Sequence, residues 1–474
     1  MSLPLRNIMN ELLMQEGVVL TSDQEKALDV FFQFYQDPEK GTVFLLRGAA
    51  GTGKTFLIRL LSRFFTRQGY KNALLAPTGR AAKVITRRSK RYAATLHRHL
   101  YTPVEIPGGG VSFQLKENKD PYKMCYIVDE ASMVGDGSEG GYGHGLLADL
   151  FQYAGEAGAH RKVIFVGDPA QLPPVGSQVS PALDAPYLRE QFKLRVYQAD
   201  MTQVMRQAEG SEILQWASEV RTAMGQSKLP TLEPVYGGDV ELLQDANEAL
   251  DLFTGLYRQD DPERVLFLTY SNRFAAEVNK AVRHRLFEAE EELLEGEVIM
   301  VVRNNYAFGN QQFPFIANGE MGIVQQVHRD TEHQAYGLRW VDATLEFQDL
   351  SDQPVEIRCK VVLDLLSSKD PQLPYATLQK LALDRRMDLQ NQALSKRKLD
   401  VRKDEYLNAL QVKYGYAVTG HKAQGGQWKN VIVGFEPLYQ GMDLKDYLRW
   451  SYTAITRAEE KAYLLNCPFV ARDF

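Results

Sequence analysis

Residues 42–55 read TVFLLRGAAGTGKT. The first part is a short, continuous apolar run, as expected of a parallel strand buried on both faces. The last eight residues, Gly48, Ala49, Ala50, Gly51, Thr52, Gly53, Lys54 and Thr55, match GxxxxGK[ST] in full. Residues 54–68 then place Phe56, Leu57, Leu60, Leu61, Phe64 and Phe65 on one helical stripe, closed by Gly69. Strand, glycine turn and helix in this order form a phosphate-binding loop. Glycines let backbone N–H groups turn inward onto phosphate oxygens, and the helix N-terminus adds a positive dipole. Lys54 would reach the β and γ phosphates, and Thr55 would offer its hydroxyl to Mg²⁺. ATP and Mg²⁺ are therefore the expected cofactors.

The pattern extends outward in both directions. Residues 72–76, 124–128 and 162–167 read as further buried strands separated by helical patterns, so the first half is an α/β layer fold. Asp129 and Glu130 follow the second of these strands. An Asp at a strand end can hold Mg²⁺, and the adjacent Glu can orient and deprotonate an attacking water. Residues 265–270, 430–435 and 462–466 repeat the strand grammar and predict a second α/β lobe. Between 298 and 411 the grammar breaks. Strand-like runs, an Asn318-Gly319 turn signal and a charged helical stretch over 375–411 predict an insertion into the second lobe with β and helical parts. The expected organisation is a first lobe over 1–200 with a hairpin insertion at 101–123. A second lobe over 201–297 and 412–474 carries the insertion 298–411.

Composition sets limits. Of 474 residues, 44% are hydrophobic and 24% charged, which excludes wholesale disorder. The net charge of −5 excludes a uniformly basic coat but leaves room for a local basic groove. Three cysteines, Cys125, Cys359 and Cys467, lie far apart with no CxxC pair, against a disulfide scaffold or a zinc finger. No apolar run is long enough for a membrane span, and no signal-peptide pattern opens the chain. A soluble cytoplasmic protein is expected. Six glycines within 135–145 predict a flexible loop, and six glutamates within 288–297 a solvated helix face.

Further motifs narrow the class. Residues 167–175 (GDPAQLPPV), 416–428 (YAVTGHKAQGGQW) and 452–458 (YTAITRA) resemble motifs III, V and VI of superfamily 1 helicases. Residues 76–82 (APTGRAA) and 95–98 (TLHR) resemble motifs Ia and Ib of the RecD-like, 5′-to-3′ branch, and 20–24 (LTSDQ) resembles the Q motif. The ordered set spans 20 to 466, and RecD-like and Dda-like single-chain helicases fit the length. The resemblance implies two RecA-like lobes with ATP in the cleft and single-stranded DNA across both. Gln24 would read the adenine. Lys54, Thr55, Asp129 and Glu130 keep the roles above. Gln171 would sense the γ phosphate, and Arg206 and Arg457 would be arginine fingers. Ala423 and Gln427 depart from the serine and acidic residue that many relatives carry.

Residues 79–100 hold Arg80, Lys83, Arg87, Arg88, Lys90, Arg91 and Arg98 with no acid, interleaved with Tyr92, His97 and His99. Basic groups bind phosphates and aromatics stack bases. Pro77, Thr78, Arg80 and His97 from motifs Ia and Ib, with His421 and Lys422 from motif V, are the expected strand contacts. Residues 102–114 (TPVEIPGGGVSFQ) predict a β-hairpin, placed where the family carries its strand-separating pin, with Phe113 as a stacking candidate. The expected activity is ATP-dependent DNA unwinding, 5′ to 3′, acting on single-stranded DNA and duplex junctions. Three alternatives stay open. An RNA-dependent member and a remodelling translocase that separates no strands are the first two. A kinase is the third, and the second lobe with motifs V and VI argues against it.

Overall fold

The computed structural model describes residues 3–105, 111–137, 145–155, 160–205, 210–226, 228–233, 237–288, 291–305, 307–308, 315–349, 353–391, 404–439 and 441–470. Internal contacts divide the chain into two units. Met1–Thr102, Phe113–Pro230 and Gly441–Thr456 form the first, and Pro103–Ser112, Thr231–Gln440 and Arg457–Phe474 the second. Residues 201–230 and 441–456 therefore group with the first unit, where the sequence reading put them in the second lobe.

The first unit opens with α1 (Leu3–Glu16) and α2 (Ser22–Gln36), then β1 (Thr42–Gly48), α3 (Lys54–Arg67) and β2 (Lys71–Ala76). Next come α4 (Gly79–Ser89), β3 (Ala93–Thr95), α5 (Leu96–Leu100) and the paired strands β4 (Tyr101–Glu105) and β5 (Val111–Leu115), of which residues 103–112 group with the second unit. The rest of the layer is β6 (Met124–Val128), α6 (Leu146–Gly155), β7 (Arg161–Gly167), α7 (Ala185–Phe192), β8 (Arg195–Met201) and α8 (Glu212–Gln226). Six strands form one sheet in the order β3-β2-β6-β7-β1-β8, every adjoining pair parallel. The apolar run of β1 is explained by burial on two faces. Phe44 and Leu46 enter the core beneath α2 and α3, while Val43 and Leu45 enter the core on the other side.

The first of these cores is aromatic. Phe31, fully buried, meets Phe64 edge-on at 5.4 Å between ring centroids and Phe65 at 5.7 Å. Such pairs add to the area each ring buries. Phe31→Ala should cost about 3–5 kcal/mol, read as a lowered urea midpoint of the first unit with an unchanged slope.

The second unit carries β9 (Val240–Leu243), α9 (Ala246–Leu256), β10 (Val265–Thr269) and α10 (Asn272–Phe287). The inserted strands are β11 (Val298–Val301), β12 (Met321–Ala335), β13 (Leu338–Gln348) and β14 (Pro354–Val362), followed by α11 (Tyr375–Asn391) and β15 (Val412–Tyr414). Then come β16 (Ala417–Thr419), α12 (Gly420–Ala423), β17 (Trp428–Gly434), α13 (Leu444–Ile455, grouped with the first unit) and β18 (Ala458–Leu465). A parallel sheet runs β16-β10-β17-β18-β9. Both expected α/β lobes with parallel sheets are thus present. The inserted sheet is antiparallel in the order β14-β13-β12-β11-β15. Just before β15, Leu410 makes an isolated bridge to Val361 of β14, so the two ends of the order meet at one residue pair.

Two sequence expectations fail here. No helix covers 288–297 among the described residues. Glu288 ends α10 with φ of 48°, and Glu297 is fully buried against Arg283. Glu291 and Glu292 lie in a bend after α10, where Glu292 pairs Arg339 of β13 at 2.6 Å. The charged helix predicted over 375–411 ends at Asn391 among the described residues. Residues 404–410 are turns pinned by Arg385, which pairs Asp404 at 2.7 Å and lies over the Tyr406 ring at 4.6 Å. No helix among the described residues is long and apolar enough to cross a membrane.

Candidate nucleotide and nucleic-acid sites

The phosphate loop joins β1 to α3 as the sequence predicts. Gly51 and Gly53 have φ of 75° and 85°, the left-handed region that glycine enters without strain. A Cβ at Gly53 would sit 2.5 Å from Gln24 Nε2 and 2.9 Å from Met205 Sδ, so another residue there would have to push both side chains aside and would strain the backbone. Lys54 folds back over the loop, its Nζ donating to Gly48 O at 2.8 Å and Ala49 O at 2.9 Å. Thr52 Oγ1 donates to Ala49 O at 2.9 Å, bracing the turn from inside.

Gln24 is buried and fully engaged. Its Nε2 donates to Thr52 O at 3.0 Å, and its Oε1 accepts the Thr21 N–H at 3.0 Å in a capping box that starts α2. The residue expected to read a base is therefore tied directly to the phosphate loop.

Asp129 and Glu130 lie at the carboxyl end of β6, two strands from β1 in the same sheet. Carboxyl ends of parallel strands are where open α/β sheets bind ligands. The Asp129 N–H donates to Leu75 O at 2.9 Å, and Asp129 Oδ1 accepts the Glu130 N–H at 2.8 Å. Burial, and then the charge of Glu130, push the Asp129 carboxyl up to about 7, against the pull of Lys54 and Arg88. Glu130 holds φ of 51°, uncommon outside glycine. A carboxylate and a hydroxyl, Asp129 and Thr55, are the hard oxygen donors that Mg²⁺ takes. A divalent cation would restore the ionised form that burial disfavours.

Asp168, in the motif III stretch, is completely buried. Its Oδ1 accepts the Ala170 N–H at 3.0 Å and pairs Arg221 Nη1 at 3.1 Å, while Tyr452 Oη donates to Oδ2. The same Tyr452 oxygen accepts the Ala50 N–H at 3.0 Å. Motif VI thus reaches the phosphate loop through one hydroxyl. Gln171 is buried beside this network, its N–H donating to Asp168 O at 3.1 Å, and Leu172 N donates to Thr453 Oγ1 at 3.0 Å. Asp168 and Tyr452 lie inside motif stretches, but the motif patterns alone assign them no role. Arg221 sits on α8 outside any motif, and nothing in the sequence marks it.

Arg206 lies outside the described residues, as do residues 138–144 of the glycine-rich loop and 106–110 of the hairpin turn. Arg457 belongs to the second unit and is buried, its Nη1 donating to Gly426 O at 3.1 Å.

The nucleic-acid candidates divide. Thr78 caps α4, its Oγ1 accepting the Ala81 N–H at 3.2 Å, with Pro77 just before it. Arg80 is buried, and Arg91 binds the Ser62 and Thr66 hydroxyls of α3. His99 turns inward to Asp120 at 3.1 Å. Exposed basic charge remains at Arg88 and Lys90. His97, Tyr101 and the exposed Phe113 form an aromatic group, with Phe113 centroids 6.4 Å from His97 and 6.3 Å from Tyr101. His421 is exposed on α12. Burial, and then Lys413 nearby, pull the Lys422 ammonium down to about 8.

Residues 20–234 match the family model of an AAA domain, and residues 414–465 match that of a UvrD-like helicase C-terminal domain. The ATP-dependent DNA helicase dda of Enterobacteria phage T4 is 25% identical over 287 residues, 60% of this chain and 61% of that one. The ATP-dependent RecD2 DNA helicase of Deinococcus radiodurans is 34% identical over 174 residues, 36% of this chain and 21% of that one. The chain is thus similar, in both of its matched segments, to ATP-dependent helicases of the RecD-like branch of superfamily 1. It spans less than two thirds of the length of either of these RecD-like relatives. A Pif1 helicase from Bacteroides, in complex with ADP-AlF3 and ssDNA, superposes with a TM-score of 0.49 at 17% identity, over 95% of this chain and 93% of that one.

Proposed function

We propose that this chain is an ATP-dependent DNA helicase that moves 5′ to 3′ on single-stranded DNA and couples hydrolysis in its RecA-like lobes to strand separation. The observation that carries the reading is the pairing of a complete phosphate loop with Asp129-Glu130 at strand ends of one parallel sheet. Lys54 would hold the β and γ phosphates once they displace the loop carbonyls from its ammonium. Thr55 and Asp129 would hold Mg²⁺, which would supply positive charge to offset that of the phosphates. Glu130 would take the proton of the attacking water. Gln171, Arg206 and Arg457 would complete the site as sensor and fingers. Pro77, Thr78, Arg80, His97, His421 and Lys422 would line the strand's path. The buried cysteines Cys125, Cys359 and Cys467, with no CxxC pair among them, support a reducing compartment, the cytoplasm.

The deciding experiment uses matched DNA duplexes with a 5′ or a 3′ single-stranded tail, beside an RNA-tailed pair. Unwinding from the 5′ DNA tail alone is expected. Unwinding from the 3′ tail would overturn the polarity. Stimulated hydrolysis without unwinding on any substrate would replace the helicase with a remodelling translocase.

The paired strands β4 and β5, with Phe113 exposed on the second, support a separating pin. DNA stacking averages about 1.4 kcal/mol per step, so a wedge needs the motor behind it. Deleting residues 107–110 should lower unwinding about tenfold or more and leave DNA-stimulated hydrolysis largely intact. Equal unwinding by the deletion variant would remove the pin from the reading.

A further inference from the structure

An open cavity of about 340 Å³ lies within the first unit. Its walls include Ala49 and Ala50 of the phosphate loop, Ser218, Arg221 and Thr222 of α8, and Tyr452 of α13. The position of Lys54 identifies which end of the loop this is. Its ammonium, the group that reaches the β and γ phosphates, rests on Gly48 O and Ala49 O. Gln24 holds the opposite end at Thr52 O. The cavity therefore adjoins the place of the terminal phosphate.

Its polar lining suits a tetrahedral oxyanion. Arg221 pairs Asp168 through Nη1 at 3.1 Å, yet a guanidinium has five N–H donors in a fork that matches phosphate. Asp168, buried behind the wall, is already satisfied. Asp168 Oδ1 is bound by Arg221 and the Ala170 N–H, and Oδ2 by the Tyr452 hydroxyl. Ser218 and Thr222 are exposed at the rim, giving the cavity an open mouth.

We propose that this cavity receives inorganic phosphate after hydrolysis, with Arg221 as its principal ligand, so that the product leaves on the α8 side of the loop. The inference rests on the hydrolase reading. In that step water oxygen bonds to the γ phosphorus as the bond to the bridging oxygen breaks. The electron pair stays on ADP, and the water proton passes to Glu130. Orthophosphate is then free at the γ end, next to Arg221. Because Arg221 also holds Asp168, and Asp168 holds Tyr452, occupancy of the cavity is linked to the contact between α8 and α13.

The test is orthophosphate inhibition of DNA-stimulated hydrolysis by the full chain, with phosphate release followed by a fluorescent phosphate sensor. The wild-type chain should be inhibited, and Arg221→Ala should raise the inhibition constant about tenfold, the loss of one charge-assisted bond. Arg221→Lys should restore part of it. Since Arg221 also supports a buried carboxylate, Ser218→Trp provides a second variant. It narrows the mouth from an exposed helix position and should weaken phosphate inhibition and slow release, with the KM for ATP moving less than the inhibition constant. Wild-type inhibition constants and release rates in both variants would overturn the proposal. A wild-type chain that hydrolyses no ATP would overturn the hydrolase reading itself, a distinguishable result.

Discussion

Glu130→Gln should abolish DNA-stimulated ATP hydrolysis, by about 10²–10⁴-fold, while nucleotide still binds. Glutamine keeps the shape and the hydrogen-bonding reach of the side chain, but it cannot accept a proton from water. The backbone at this position already adopts φ of 51°, so the swap adds no new backbone strain. Part of what raises the Asp129 carboxyl is the neighbouring Glu130 charge. Neutralising that neighbour lowers the Asp129 pKa and favours the ionised form that would hold Mg²⁺. Affinity for Mg²⁺-nucleotide should therefore stay level or rise. Turnover and the Kd of a fluorescent nucleotide, measured together, separate the two effects. A variant that still turns over within about tenfold of wild type would move the base elsewhere. A variant that loses binding as well would give Glu130 a structural role in the turn after β6.

The phosphate loop was legible because two independent constraints coincide there. Eight residues satisfy a chemical pattern, and the flanking runs satisfy a packing pattern, Phe44 and Leu46 facing one core while Val43 and Leu45 face the other. The strands β6, β7, β10, β17 and β18 were readable for the same reason, since double-sided burial leaves continuous apolar runs. What escaped is set by tertiary partners at a distance in sequence. Glu297 looks like any member of an acidic run, and only its encounter with Arg283 makes it a buried ion pair. His99 looks like a base-stacking residue among arginines, yet Asp120 turns it inward. Arg221 is an isolated arginine on an amphipathic helix, and its meaning comes from Asp168, 53 positions away. The placement of α13 was hidden similarly. Chain order puts it between β17 and β18, but its packing on α8 groups it with the first unit.

Some motif residues carry structural duties that the motif names conceal. Thr78 and Thr95 are helix caps, accepting the Ala81 and Arg98 N–H groups at 3.2 and 3.1 Å. Caps of this kind contribute about 1 kcal/mol. An alanine substitution at Thr78 would therefore mix a loss of helix stability with any loss of strand contact. Pro77 and His97 separate these better, since neither caps a helix.

Arg457→Ala should reduce DNA-stimulated hydrolysis by about 10³–10⁵-fold, the contribution of an arginine finger to phosphoryl transfer. The rival account is structural. Arg457 is buried in the second unit, donates to Gly426 O at 3.1 Å and accepts the Trp428 N–H on its own carbonyl at 3.0 Å. It thereby ties the end of motif VI to the end of motif V. Losing a hydrogen bond from a charged group costs about 1.5–3 kcal/mol of stability, enough to lower a melting temperature but not to remove four decades of rate from a folded chain. The backbone bond to Trp428 survives the substitution, so β17 and β18 should stay paired. A chain that melts within several degrees of wild type, binds nucleotide within about tenfold and barely hydrolyses it identifies the finger. Arg457→Lys sharpens the distinction. Lysine restores a charge but not the planar fork that spans two phosphate oxygens, so it should recover little of the rate. If lysine restores most of the activity, or if alanine lowers hydrolysis less than about tenfold, Arg457 works through Gly426 rather than on the phosphate.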